Sequence, residues 1–178
     1  MCIRDRSGPG SNRAAPSEFV AGDDNGGIGV YSTATGDLIR TLSPQGAGGP
    51  DQQAVLSVTD ATVYFAKPNG ACGGTIQSGP VSGATVPVTT ISVPETLALD
   101  PSPSPASSDL AWVGVRCLPN ATTSTLYVTD QSTGKVSDLG PYTGRNSDDE
   151  IAWSQDGSLL AAETGSTIKV FGVDQRCV

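Results

Sequence analysis

The sequence predicts an all-β protein, and three observations support that prediction. Hydrophobic residues make up 37% of the 178-residue chain and charged residues only 16%, while the chain holds 22 glycines and 13 prolines. Serine, threonine and valine are frequent, and this composition favours many short strands joined by turns. No run of about ten residues shows the i, i+3, i+4, i+7 apolar repeat of an amphipathic helix.

The charge of the chain limits its partners. The formal net charge is −8, and neutralising phosphates requires clustered Lys and Arg. We therefore expect no nucleic-acid partner. No segment approaches the roughly 18 consecutive apolar residues of a membrane span, so we also expect no membrane contact within this segment.

Residues 1–17 differ from the rest of the chain. Their first six residues, MCIRDR, resemble a translated adapter sequence, and no apolar core of a signal peptide follows. We interpret 1–17 as a leader that is artefactual or disordered, and we assign the fold to 18–178.

An internal repeat runs through the folded part. Its clearest copy is a three-strand meander at 151–174, IAWSQDGSLLAAETGSTIKVFGVD, and related stretches occur at 18–42, 54–91 and 97–139. In each copy the second residue of the third strand is an apolar anchor: Ile28, Ile76, Leu126 or Ile168. Alternating strands and Thr-Gly or Ser-Gly turns recur around these anchors.

Copies of about 40–50 residues with four strands each are typical of β-propeller blades. The first copy lacks an opening strand and the last a closing one. The sequence thus predicts an incomplete β-propeller of about three to three and a half four-stranded antiparallel blades, since natural rings hold roughly four to eight. We expect an open arc of a larger ring.

Apolar residues at alternating strand positions are the candidate contacts between blades. Both tryptophans, Trp112 and Trp153, lie inside strands with apolar neighbours. We interpret them as core residues, with ligand stacking as the alternative. The other candidate inter-blade residues are Val55, Val63, Phe65, Leu99 and Leu110.

Two hairpins resemble a known group of proteins. AWSQDGSLLAAE resembles the W-S-P-D-G hairpin of TolB-like and WD40-like bacterial propellers, with Gln155 in place of the proline. TLYVTDQSTGKV is similar to the repeat of YVTN-type propellers. The resemblance covers roughly 18–174 and implies the propeller fold, which serves many unrelated functions.

Charged residues in the predicted loops are the candidate binding site. In a propeller, the loops between second and third strands and the connections between blades lie on one face. That rule gathers Asp23, Asp24, Lys67, Arg116, Asp148, Asp149 and Glu150. Ordinary solvated loops are the alternative. The pair Asp23–Asp24 lacks the spaced oxygen ligands of a calcium loop, so we expect no metal.

The cysteines suggest a cross-link. Cys72 and Cys117 fall in the same loop of consecutive blades, which makes a disulfide between them plausible and would imply an oxidising compartment. Two free thiols or a metal site are the alternatives. The chain has no histidine and no Cys-x-x-Cys motif, which disfavours zinc.

The absence of histidine also bears on catalysis. Ser-His-Asp and Cys-His nucleophile schemes require that residue, and no phosphate-binding glycine motif occurs. We expect a non-catalytic, cofactor-free binding module of a secreted, periplasmic or membrane-anchored bacterial protein, with a protein or glycan on its loop face. The alternatives are a lactonase, the gating domain of a prolyl-oligopeptidase-like hydrolase, or the extracellular sensor domain of a membrane kinase.

Overall fold

The computed structural model describes residues 17–22, 27–44, 52–56, 62–69, 73–82, 89–91, 97–118, 121–143, 151–164 and 167–173; for 52–56 and 89–91 only the backbone is described. All regular elements in these ranges are β-strands, which confirms the all-β prediction. They are β1 (Glu18–Gly22), β2 (Ile28–Ser32), β3 (Leu38–Ser43), β4 (Gln52–Leu56), β5 (Thr62–Pro68), β6 (Gly74–Pro80), β7 (Thr89–Ile91), β8 (Leu97–Pro103), β9 (Asp109–Leu118), β10 (Ala121–Asp130), β11 (Lys135–Tyr142), β12 (Ile151–Trp153), β13 (Leu159–Thr164) and β14 (Thr167–Gly172).

The strands form four antiparallel sheets in chain order. The first sheet is β1–β3, the second β4–β7, the third β8–β11 and the last β12–β14, and within each sheet every strand pairs with its neighbours in the sequence. The second and third sheets hold four strands each, while the first and last hold three within the described residues. Such sequential pairing arises because each strand is followed by a short connection that returns the chain beside it.

Glycines with positive φ close two equivalent hairpins. Gly36 (φ 76°) lies between β2 and β3, and Gly134 (φ 71°) lies between β10 and β11. A side chain is disfavoured in this left-handed region, so glycine is the residue that turns the chain here. In the repeat numbering, β1, β2 and β3 of the first sheet correspond to the second, third and fourth strands of a four-stranded sheet. The Thr-Gly signal of the repeat therefore marks the turn between the third and fourth strands.

Each sheet has two faces, because successive side chains of a strand point to opposite sides. We call the face toward the next sheet in the chain the forward face, and the face toward the previous sheet the backward face. On β5, Val63 and Phe65 lie on the backward face, whereas Tyr64 and Ala66 lie on the forward face.

Among the described residues, three separate hydrophobic clusters hold the sheets together. Each combines the forward face of one sheet with the backward face of the next. The first cluster contains Ile28, Val30, Leu42, Val63 and Phe65. The second contains Tyr64, Ala66, Ile76, Ala98, Leu110 and Trp112. The third contains Ala111, Val113, Leu126, Val128, Tyr142, Ile151, Trp153, Leu160 and Ala162. Burial between stacked sheets is thus the main stabilising term.

Side-chain hydrogen bonds reinforce two of these junctions. The Arg40 guanidinium donates to the carbonyl oxygen of Val81 from Nε at 3.0 Å and Nη2 at 2.8 Å, which ties the first sheet to the second. It also pairs with the Glu18 carboxylate at 2.9 Å. Between the third and last sheets, Trp153 Nε1 donates to the carbonyl of Ser102 at 2.8 Å.

The residues expected between blades lie between sheets wherever their side chains are described. Val63, Phe65, Leu110 and Trp112 are buried, and Leu99 is half-buried against the second cluster. The side chain of Val55 lies outside the described residues. Trp112 stacks on Tyr127 at 4.7 Å between ring centroids and donates from Nε1 to Thr129 Oγ1 at 2.9 Å. Both tryptophans are core residues, as the sequence predicts.

Candidate binding face

The strand connections give every sheet two distinct rows of strand ends. We call each row an edge, which here does not mean an outer strand. At one edge, which we call the loop edge, second strands end and third strands begin: β1 ends at Gly22, β5 at Pro68 and β9 at Leu118. Fourth strands also end there. The opposite edge, the turn edge, carries the tight hairpins between first and second strands and between third and fourth strands.

Lys67 lies at the loop edge, at the junction of two sheets. It is the residue before the last of β5, and its Nζ donates to Ser43 Oγ at 3.1 Å, where Ser43 ends β3 of the first sheet. Nearby, a Cβ on Gly74 would lie 2.7 Å from Leu97 Cδ1, so the start of β6 packs closely on the start of β8. The loop edges of the first three sheets are therefore adjacent.

Arg116 lies at the same edge of the third sheet. It is exposed on β9 and pairs in register with Thr123 of β10. The next residue, Cys117, is half-buried and takes part in a disulfide. Its partner lies outside the described residues, as does Cys72, so the pairing of Cys72 with Cys117 stays a prediction.

Five of the predicted site residues lie outside the described residues. They are Asp23, Asp24, Asp148, Asp149 and Glu150. The structure places Lys67 and Arg116 at the loop edges of consecutive sheets. The five acids are not among the described residues, so their distances to these two cations are not defined. Their membership of one binding face remains a prediction.

The turn edge carries acidic side chains that close turns. The Asp130 carboxylate accepts hydrogen bonds from Ser132 Oγ at 2.6 Å, Thr133 Oγ1 at 2.9 Å and Ser108 Oγ at 3.1 Å, and from the Ser132 amide. The Ser132 and Thr133 hydroxyls hold the pKa of Asp130 well below its usual range. Hydrogen bonds that favour the charged form explain this direction.

Asp156 has the same role in the hairpin that resembles the W-S-P-D-G motif. Its Oδ1 accepts from Ser154 Oγ at 2.6 Å, and from the amide and hydroxyl of Ser158 at 3.1 and 2.9 Å. The Ser154 hydroxyl is the main cause that lowers the pKa of Asp156 to about 2. The serine and aspartate of this motif thus stabilise the turn itself.

Sequence reasoning missed one unusual residue on β8. Asp100 has a φ of 51°, and the register between β8 and β9 shifts between Leu99 and Ser102. Asparagine and aspartate tolerate this left-handed conformation better than most residues, and bulges often lie beside functional sites. The Asp-Pro-Ser-Pro run is the local signal for a bulge, but a proline normally drives the preceding residue to extended backbone.

Two further searches cover the described residues alone. Among them, no group of three or more His, Cys, Asp or Glu is placed to hold a metal ion. In the same ranges, no helix is long and apolar enough to cross a membrane.

Comparison with known proteins gives a likeness in structure only. No protein-family model matches the sequence, and no curated protein matches it. Among solved structures, the chain is similar to hydrazine synthase of Kuenenia stuttgartiensis, with a TM-score of 0.61 and 15% identity over 83% of this chain and 46% of that one.

A second likeness is to a proposed 6-phosphogluconolactonase of Bacteroides uniformis, with a TM-score of 0.58 and 12% identity over 89% of this chain and 48% of that one. Those neighbours are propeller proteins, and they decide the architecture. The chain folds as a β-propeller. The predicted fold class, an incomplete propeller of antiparallel sheets, is confirmed.

The propeller segment spans about half the length of these two solved chains. A third likeness covers a whole chain: the computationally designed Ika4 protein, with a TM-score of 0.53 and 18% identity, matches over 93% of this chain and 95% of that one. At these identities the likeness shows the fold alone.

Proposed function

We propose that this propeller segment is a non-catalytic binding module that presents its loop edge to a protein or glycan. The observation that carries the proposal is the hydrogen bond from Lys67 to Ser43. It joins the loop edges of two sheets and holds a cation at the surface of their junction. A charge held in place at the junction of two sheets is what a recognition surface requires.

The proposed face extends from Lys67 to Arg116 and includes the acids that the sequence assigns to neighbouring loops. A face of mixed charge favours a polar partner that offers both hydrogen bonds and a complementary charge.

The resemblance to TolB-like and WD40-like bacterial propellers supports an extracytoplasmic location for the module. The disulfide of Cys117 fits an oxidising compartment. We propose that Cys72 is its partner. Peptide mapping of the unreduced protein tests this pairing: a fragment that links the two cysteines supports it, and a link from Cys117 to Cys2 or Cys177 contradicts it.

The binding proposal is tested with charge-reversed variants at the two edges. The probes are a glycan array and the proteins of a bacterial periplasmic extract, each exposed to the immobilised chain. Lys67→Glu and Arg116→Glu are expected to abolish binding to whichever probe the parent chain retains. Lys135→Glu makes the same charge change at the turn edge and is expected to leave binding intact.

The second candidate function is a lactonase, because a proposed 6-phosphogluconolactonase is among the structural neighbours. An assay for hydrolysis of 6-phosphogluconolactone, monitored through the acid that the reaction releases, distinguishes the two proposals. If the chain hydrolyses the lactone, and both Lys67→Glu and Arg116→Glu leave that activity intact, the function lies elsewhere on the propeller. If, in addition, the parent chain retains neither a glycan nor a periplasmic protein, the binding proposal is overturned.

A further inference from the structure

The bulge in β8 contains an aspartate that is followed directly by a proline. Asp100 and Pro101 form the only such pair in the sequence. The register to β9 shifts between Leu99 and Ser102, so Asp100 and Pro101 together lie opposite Trp112. Among the described residues, Asp100 is the one non-glycine with a positive φ, at 51°. A side chain makes that conformation costly, so the peptide bond after Asp100 lies at a strained point of the backbone.

Contacts on both sides of the bulge hold it in place. The residues of β8 before the bulge and those after it both pair with β9. Before it, Ala98 is inaccessible to solvent in the second hydrophobic cluster. After it, the Ser102 carbonyl accepts from Trp153 Nε1 at 2.8 Å, and Ser102 Oγ donates to the carbonyl of Ile151 at 3.3 Å. Because both halves of β8 are fixed, the backbone cannot relax by shifting either one.

A peptide bond between aspartate and proline has a chemical route to its own cleavage. The carboxyl group of an aspartate can reach the main-chain carbonyl carbon of the same residue and form a cyclic anhydride. Reaction within one molecule needs no second reactant to be brought into place. The proline nitrogen is the better leaving group among backbone nitrogens, because its ring carbon replaces the hydrogen and makes the nitrogen more basic.

We propose that the folded chain cleaves its own peptide bond between Asp100 and Pro101, with the Asp100 carboxyl group as the nucleophile. A carboxyl oxygen bonds to the main-chain carbonyl carbon of Asp100, the bond from that carbon to the Pro101 nitrogen breaks, and the carboxyl proton passes to that nitrogen. Water then opens the anhydride and leaves two carboxyl groups on Asp100. The strained backbone is released when the bond breaks, so the folded state accelerates the reaction.

The surroundings of the bond suit both steps. Asp100 and Ser102 are half-buried, so water reaches the anhydride. The residues on each side of the bond keep their pairs with β9 after cleavage. The two fragments should therefore remain together as one folded assembly, and they should separate only when the chain is unfolded.

Incubation of the whole chain in mildly acidic buffer, which supplies the acid form of an aspartate, tests the proposal. Mass spectrometry after unfolding and reduction should find one fragment that ends at Asp100 and one that begins at Pro101. Cleavage should be at least about 10-fold faster in the folded chain than in concentrated urea at the same pH. In water enriched in heavy oxygen, part of the label should appear in the side-chain carboxyl of Asp100, as only the anhydride route allows.

Two variants separate the carboxyl group from the fold. Asp100→Asn tolerates the same left-handed backbone but lacks the nucleophile, so cleavage should slow by at least about 100-fold. Asp138→Asn makes the same change on β11, before a leucine, and is expected to leave the rate unchanged. Far-UV circular dichroism and tryptophan emission show that each variant keeps its fold. Equal rates in the folded and unfolded chain, label in the main-chain carboxyl alone, or cleavage that survives Asp100→Asn would each overturn the proposal.

Discussion

Leu126 in the third sheet and Ile168 in the last sheet occupy the same position of the repeat. Leu126 is 1% exposed and Ile168 74% exposed. Both lie on the forward face of a third strand, and both are aliphatic. The difference between them therefore comes from the neighbouring sheet rather than from the strand itself, which is how stability arises in repeat proteins.

Truncating the two side chains should give the largest contrast. Leu126→Ala is expected to lower the free energy of unfolding by about 2–5 kcal/mol, because it leaves a cavity between two sheets. Ile168→Ala is expected to change it by less than about 0.5 kcal/mol in the single chain. Urea titration measures both values. Equal losses would show that another part of the chain covers Ile168.

The tryptophans provide a second, smaller contrast. In the third sheet, Trp112 Nε1 donates to the Thr129 hydroxyl inside the core, so Thr129→Val should cost about 1–3 kcal/mol by leaving a buried donor without its acceptor. In the last sheet, Trp153 donates to the backbone carbonyl of Ser102. Ser102→Ala keeps that acceptor and should cost at most about 1 kcal/mol. Unfolding curves followed by tryptophan emission compare the two, and the reverse order would contradict the assigned bonds.

Two glycines sharpen the comparison at the turn edge. Gly134 of the third sheet and Gly157 of the last sheet both have a φ of 71°. No atom lies within 4 Å of a Cβ at Gly134, whereas a Cβ at Gly157 would lie 2.7 Å from Ser104 Oγ. Gly134→Ala should cost about 1 kcal/mol for the backbone alone. Gly157→Ala should cost at least about 2 kcal/mol, since it also separates two packed turns. Thermal unfolding measures both variants; similar losses would mean that these turns do not touch.

The smallest effects concern the acidic turns. The pKa of Asp156 is lowered from 3.8 to about 2, so its stabilising effect is present above pH 3.8 and is lost as the pH falls toward 2. The urea midpoints of the parent and Asp156→Asn should therefore differ at neutral pH and converge over that range. The pKa of Asp130 is lowered further, so the effect of Asp130→Asn should persist to lower pH. A constant difference across the range would contradict both assignments.

The arrangement of the sheets could be predicted from the sequence because the repeat consists of local features: alternating apolar residues and turn residues at regular spacing. The anchors at Ile28, Ile76, Leu126 and Ile168 identify equivalent third strands. Alternation around Trp112 places it in the core. These features depend on periodicity and turn chemistry, which a single strand or hairpin contains.

The parts that the sequence could not predict depend on distant groups. Lys67 bonds Ser43 of another sheet, and Arg40 bonds the backbone of Val81; neither partner follows from local spacing. The left-handed Asp100 precedes a proline, where extended backbone is expected. The candidate site was predicted only as a set of loops, because loop charges are common whether or not a ligand binds.

The three hydrophobic clusters of the described residues are separate, and each joins two neighbouring sheets. Opening one junction therefore leaves the other two intact, so the arc can loosen progressively from an outer sheet. Amide hydrogens of β14 should exchange with solvent deuterium first, and those of β5 and β9 last. The fold then behaves as a row of coupled sheets in which the outer sheets open before the inner ones.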